Sequence, residues 1–100
     1  MKKKGATITH RAHLVFTGRV QGVGFRYTAE GIALEIGLGG WVKNLPENQV
    51  EIVCEGSKEG IELLMQKLKA SSLGPYIKKV ICEWEKPTGE FKDFSIEHYY

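Results

Sequence analysis

The sequence has no long apolar run and few cysteines. None of its hydrophobic stretches approaches the roughly 18 residues that a membrane-spanning helix needs, and the start of the chain is too polar for the apolar core of a signal peptide. Cys54 and Cys82 lie far apart, without the close spacing of a metal or redox pair. We therefore expect a cytoplasmic protein in which both cysteines are reduced core thiols, with a disulfide or a reactive thiol as the alternative.

The sequence also lacks a strong charge of either sign. Its 14 lysines and arginines against 12 aspartates and glutamates give a net charge of +2, and part of the excess comes from lysines at positions 2 to 4. A nucleic-acid-binding module would show a basic face, which is missing, so any anion site must be local. We expect residues 1–11 to be a flexible basic extension without an assigned role, and residues 12–100 to form one domain.

Side-chain alternation and helical spacing divide this domain into seven elements. Stretches rich in branched and aromatic side chains predict strands at residues 12–19, 40–45, 50–55, 78–85 and 91–99. Apolar stripes at helical spacing predict one helix from Gly24 to Gly37, and a second from a cap at Ser57 to a stop near Gly74. The order β-α-β-β-α-β with a terminal strand predicts an α+β, ferredoxin-like sandwich, in which two helices cover one face of a mainly antiparallel sheet of four to five strands.

Several large side chains are candidates for the core of this sandwich. Leu14 and Phe16 share one face of the first strand, and Phe94 and Ile96 form an inward pair on the last. Trp84 alternates with core positions of the fourth strand, so we expect it to pack in the core rather than to stack on nucleic-acid bases.

Three glycines, Gly18, Gly22 and Gly24, are crowded between the first strand and the first helix. A sharp turn there would expose consecutive backbone N–H groups, and the start of the helix adds the positive end of its dipole. Arg26 lies just inside the helix, where its guanidinium could hold two phosphate oxygens. The alternative is an ordinary turn followed by a solvated arginine, and these residues alone leave both interpretations open.

Two motifs resemble the signatures of the acylphosphatase family. The first is Gly18-x-Val20-Gln21-Gly22-Val23-x-Phe25-Arg26. The second is Gly40-Trp41-Val42-Lys43-Asn44, followed by Val50 and Gly56 at the spacing that the family uses. The resemblance covers roughly residues 12 to 98. It departs from the family at Asn48, where a glycine is usual, and this puts the rigidity of the turn after the second strand in question; asparagine tolerates the left-handed conformation that such a turn needs.

The resemblance implies an enzyme that hydrolyses acyl phosphates to a carboxylate and inorganic phosphate by direct attack of water, with no metal and no other cofactor. It makes Arg26 and Asn44 catalytic, with Arg26 on the phosphoryl oxygens and Asn44 positioning the water. Together with Arg26, it assigns phosphate binding to Arg19, Val20, Gln21, Gly22, Val23, Gly24 and Phe25. The implied partners are a small acyl phosphate and inorganic phosphate as product and inhibitor, with no nucleic acid and no membrane, and the protein is expected to be a monomer.

Three other functions are weighed against this one. Acylphosphatase-like domains also occur within larger maturation proteins that handle carbamoyl phosphate, so the chain could bind phosphate without turnover. A ferredoxin-like sheet could bind single-stranded RNA, although the basic and aromatic run of an RNA-recognition motif is missing. His10, His13 and His98 suggest a metal site, but no carboxylate or cysteine completes a ligand set in the sequence pattern.

Overall fold

The computed structural model describes residues 7 to 98, so positions 1 to 6 of the predicted extension lie outside the described residues. In the described part, strands and α-helices follow one another in the predicted order. The elements are β1 His10–Gly18, α1 Phe25–Ile36, β2 Gly39–Leu45, β3 Gln49–Gly56, α2 Lys58–Ala70, β4 Ile77–Glu85 and β5 Phe94–Ile96, with a short 3-10 turn at Gly74–Tyr76 before β4.

One five-stranded sheet has the strand order β4-β1-β3-β2-β5. β1 pairs antiparallel with β3 and β4, β2 pairs antiparallel with β3, and β5 lies parallel to β2. The two helices pack on one face of the sheet and contact each other. This arrangement confirms the predicted ferredoxin-like α+β fold with a mainly antiparallel sheet. No helix in the described range is long and apolar enough to cross a bilayer.

The ends of the helices follow the predicted local signals. Ser57 Oγ accepts a hydrogen bond from the Gly60 N–H at 2.9 Å and so caps the start of α2. Gly37 ends α1 with φ 96°, and its N–H donates to the Ala33 carbonyl at 2.9 Å. The α2 helix ends at Ala70, before the predicted stop.

The core between the helices and the sheet contains the predicted apolar side chains. Leu14 and Phe16 are fully buried, Phe94 is buried and Ile96 is partly buried. The prediction for Trp84 was wrong, because its side chain is 43% exposed. Trp84 lies near the end of β4, an edge strand paired on one side only, and there the indole packs edge-on against His10 with ring centroids 5.6 Å apart.

A buried carboxylate on β3 contacts both the start of β1 and the segment that precedes β5. Glu55 on β3 is 1% exposed and accepts hydrogen bonds from the Arg11 guanidinium at 3.0 Å, from the Thr88 N–H at 2.7 Å and from the Gly89 N–H at 3.0 Å. Arg11 is the second residue of β1, which begins two residues before the predicted strand, and it also pairs with Glu85 at 3.0 Å. Strand β5 is shorter than predicted and comprises only the three residues Phe94–Ile96.

The pKa of Glu55 depends on both its burial and these hydrogen bonds. Burial alone would raise it, since removing a carboxylate from water disfavours its charged form. The hydrogen bonds from Thr88, Arg11 and Gly89 stabilise the charged form, and they outweigh the burial, so the pKa is lowered.

Candidate active site

The glycine loop, defined here as residues 18–26, connects β1 to α1 and presents backbone donors. Gly24 precedes the helix with φ 81°, a left-handed backbone that favours glycine. No side chain caps α1, and its first turn contains no acidic residue. Among the described residues, no acceptor is hydrogen-bonded to the N–H groups of Gly22, Gly24, Phe25 or Arg26. The start of α1 therefore offers unpaired donors and the positive end of the helix dipole to an anion.

Arg26 lies in the first turn of α1 and is half-buried. Its Nη1 donates a hydrogen bond to the Glu97 carbonyl at 3.1 Å, which ties the guanidinium to the segment that follows β5. Within the described part of the chain no carboxylate forms an ion pair with it. The positive charge and most of the guanidinium's donors are therefore free to bind an anion.

Asn44 lies near the end of β2, opposite Val50 on β3. Its side chain forms no hydrogen bond to any described residue, so both amide donors and the amide oxygen are available. A cleft of about 170 Å³ brings Asn44 together with the glycine loop. It is lined by Val20, Gly22, Gly24, Phe25, Arg26, Tyr27 and Asn44.

The loop rests on the core through two apolar side chains. Val20 is fully buried and Phe25 is 2% exposed. The Phe25 ring packs against Phe16 of β1, with centroids 4.9 Å apart. Because both ends of the loop are anchored in close-packed core, its backbone donors are held in a defined direction.

The side chains of the other residues that the sequence analysis assigned to phosphate binding contact other parts of the protein. Val23 packs against the core. Arg19 lines a neighbouring depression with Tyr76 and Lys78, and its N–H donates to the Tyr76 carbonyl at 2.9 Å. Gln21 faces the β2–β3 turn rather than the cleft. The structure thus brings Arg26 and Asn44 into one cleft with only part of the predicted loop.

Gln21 connects the glycine loop to the β2–β3 turn. Its side-chain Nε2 donates to the Leu45 and Gln49 carbonyls at 2.6 and 2.7 Å, and its backbone N–H donates to Asn48 Oδ1 at 3.2 Å. Asn48 has φ 62°, the left-handed conformation expected for it. The loop and the hairpin that carries Asn44 are therefore joined by direct hydrogen bonds.

Tyr27 is the cleft residue that sequence reasoning missed. It follows Arg26 in the first helical turn, lines the cleft and is 76% exposed. Its position in the sequence could have indicated this role, because Tyr27 directly follows Arg26 at the start of the helix that borders the anion site. An exposed ring there adds an apolar surface next to the anion site.

The lining residues include one guanidinium, one neutral amide and several backbone donors, but no carboxylate, histidine or cysteine. Among the described residues, no group of three such side chains is placed to hold a metal ion. This arrangement is suited to binding a phosphoryl group and orienting a water molecule beside it.

Comparisons with known proteins give one family. A family model described as Acylphosphatase matches residues 12–96. A curated relative, the acylphosphatase of Roseiflexus sp. (strain RS-1), is 42% identical over 86 residues, which is 86% of this chain and 92% of the relative. The crystal structure of the Bacillus subtilis acylphosphatase superimposes with a TM-score of 0.80 at 31% identity and covers 88% of this chain and 98% of that one. Full-length HypF in a phosphate- and nucleotide-bound form matches with a TM-score of 0.73 at 28% identity, over 94% of this chain but only 12% of HypF.

Proposed function

Because this chain belongs to the acylphosphatase family and is an acylphosphatase, we propose that it hydrolyses small acyl phosphates in the cleft between the glycine loop and the end of β2. The single observation that supports this site is that Arg26, Asn44 and the unpaired N–H groups of the loop line one cleft. The reaction is attack of water on phosphorus. The bond from the water oxygen to phosphorus forms, and the bond from phosphorus to the acyl oxygen breaks.

The phosphoryl oxygens bind to the loop N–H groups and to Arg26. A phosphoryl-transfer transition state spreads negative charge over these oxygens, and fixed donors that match this charge lower the barrier. The uncapped start of α1 supplies such donors without any rearrangement of the protein. The bond from Arg26 to the Glu97 carbonyl orients the guanidinium in advance.

Asn44 holds the attacking water. An amide carries donors and an acceptor and is neutral, so it does not repel the phosphate as a carboxylate would. The proton from water passes to a phosphoryl oxygen, and the electron pair of the broken bond leaves on the acyl oxygen as a carboxylate. Because a carboxylate is a weak base, the reaction needs no general acid from the protein, and the cleft lining contains no carboxyl or imidazole group.

We propose that this chemistry proceeds without a metal or another cofactor, because the charge that a cation would neutralise is met by Arg26 and the start of α1. Inorganic phosphate, the product, occupies the same donors and inhibits. All the residues of the proposed site come from one protomer, so the proposed enzyme is active as a monomer. The free thiols of Cys54 and Cys82 support a cytoplasmic location.

Binding without turnover is the weaker alternative. The likeness to HypF is its support, but that match spans 12% of HypF, whereas the curated acylphosphatase is matched over 92% of its length.

Hydrolysis of benzoyl phosphate in the presence of a metal chelator tests the proposal. We expect Arg26→Ala and Asn44→Ala each to lower kcat/KM at least about 100-fold, the usual effect of removing a transition-state contact. Arg19→Ala is the matched arginine control. Arg19 lies outside the cleft, so only electrostatic steering is lost, and we expect a change of about threefold or less.

Two results would contradict the assignment of roles. One is an Arg26→Ala variant that hydrolyses benzoyl phosphate as fast as the Arg19→Ala variant. The other is wild-type activity that disappears when the chelator is added.

A further inference from the structure

Gln21 is the point where the glycine loop meets the β2–β3 turn. Two of its hydrogen bonds come from its side chain, which donates to the carbonyls of Leu45 and Gln49 at the two ends of the turn. The third comes from its backbone, whose N–H donates to Asn48 Oδ1 at 3.2 Å. This last bond fixes the orientation of the peptide group between Val20 and Gln21 in the loop.

The neighbours of Gln21 make this orientation important. Val20, on one side, is fully buried, whereas Gly22, on the other side, has φ 78° and no side chain that could hold it. A peptide unit is planar, so fixing the Gln21 N–H also fixes the plane that joins Val20 to Gln21. This contact therefore restrains the peptide plane at the start of the segment from Gln21 to Gly24, in addition to the bonds of the Gln21 side chain.

We propose that Asn48 is a positioning residue of the phosphate site. Its side-chain oxygen turns the Gln21 N–H toward the hairpin and thereby keeps the donors of Gly22 and Gly24 directed at the cleft. The proposal rests on the function proposed above. It also reverses the concern raised by the sequence, because the asparagine at the usual glycine position tightens the contact between turn and loop.

The turn itself supplies a matched control. Glu47 and Asn48 both have positive φ, 64° and 62°. In the described residues the Glu47 side chain forms no hydrogen bond or ion pair. Replacing either residue by glycine therefore makes the same backbone change in the same turn, but only Asn48→Gly removes the bond to the loop.

The first measurement is phosphate binding and turnover. We expect Asn48→Gly to raise the dissociation constant of inorganic phosphate and the KM for benzoyl phosphate about two- to tenfold, the fold-change that corresponds to one net hydrogen bond. We expect kcat to change less than KM, because contacts outside the turn still hold Arg26, which binds the phosphoryl oxygens in the transition state. Glu47→Gly is expected to leave all three values unchanged.

The second measurement is hydrogen exchange of the Gln21 amide, followed by NMR. We expect this amide to exchange faster in Asn48→Gly than in the wild type, and at the wild-type rate in Glu47→Gly. Asn48→Asp keeps an acceptor oxygen in place and should preserve the protection of the amide. If Asn48→Gly does not fold, Asn48→Asp still tests the hydrogen bond between residue 48 and the Gln21 N–H.

The proposal is overturned if the Gln21 amide exchanges equally in Asn48→Gly and Glu47→Gly, or if these two variants bind phosphate equally. Failure of the proposed function would look different. The wild type would then leave benzoyl phosphate intact, while phosphate binding and amide exchange would still report on Asn48.

Discussion

Replacing Glu55 by glutamine should destabilise the fold much more than the same change at Glu85. Both carboxylates lie 3.0 Å from the Arg11 guanidinium, but the Glu55 side chain is 0% exposed and that of Glu85 is 42% exposed. Glu55 also accepts hydrogen bonds from the N–H groups of Thr88 and Gly89. Glutamine keeps the shape of the side chain but turns one acceptor oxygen into a donor, which then faces another donor in a site closed to water.

The expected magnitude follows from this burial. Disrupting a buried ion pair costs about 3–5 kcal/mol, so we expect Glu55→Gln to lower the free energy of unfolding by about that amount. An exposed pair contributes less than about 1 kcal/mol, and this is the expected loss for Glu85→Gln. For a domain of this size each kcal/mol shifts Tm by about 4–8 °C, so Glu55→Gln should lower Tm by at least about 12 °C.

Urea unfolding of the wild type and both variants, followed by circular dichroism, measures these losses. The pH dependence gives an independent check, because the pKa of Glu55 lies below its ordinary value of 4.5. A carboxylate with a lowered pKa stabilises the fold at pH values above its unfolded pKa, and this contribution disappears as the pH falls through the folded pKa. The stability gap between the wild type and Glu55→Gln should therefore be constant near neutral pH and shrink below about pH 4.5.

The reasoning would be refuted if Glu55→Gln and Glu85→Gln lost equal stability near neutral pH. A gap that stayed constant, or widened, on acidification would refute the assigned direction of the pKa shift.

Three further predictions concern a helix cap, the thiols and the cleft. Ser57→Ala removes the acceptor of the Gly60 N–H and should lower the free energy of unfolding by about 1 kcal/mol, measured by urea titration. Burial raises the pKa of Cys54 to about 12 and also raises that of the partly exposed Cys82. A thiol reagent at mildly alkaline pH should therefore modify Cys82 first and Cys54 only on unfolding, and equal rates would contradict this. Tyr27→Ala should leave Tm almost unchanged, because the ring is 76% exposed, and should raise KM more for benzoyl phosphate than for acetyl phosphate; an equal rise for both would show that the ring does not contact the acyl group.

Much of the fold could be predicted from the sequence because its signals are local. The cap at Ser57 and the glycine that ends α1 act within a few residues, and the alternation of apolar side chains is visible in any short window. The lengths of β1 and β5 could not be predicted in this way. They depend on pairing with strands that are distant in the sequence: β1 extends to His10, which pairs with Gly56 of β3, and β5 is limited to the three residues that pair with β2.

The candidate site could likewise be predicted only in part from the sequence. The motif resemblance predicts Arg26 and Asn44, and the structure brings them to one cleft, although their catalytic roles stay predictions until they are tested. A motif does not specify which way each loop residue points. Gln21 faces the hairpin and Arg19 a separate depression, because backbone turns at the loop glycines set these directions and the hairpin supplies the partners.

The bond between Arg26 and the Glu97 carbonyl has a consequence for the order in which the enzyme becomes active during synthesis. It spans 71 positions, one of the longest sequence separations among the side-chain contacts. Contacts between distant positions form late and slow the folding of a chain, since a long loop must close first. On the ribosome, the arginine that binds the phosphoryl group would therefore wait for β5 to emerge and pair with β2, and a nascent chain lacking that strand would carry an incomplete site.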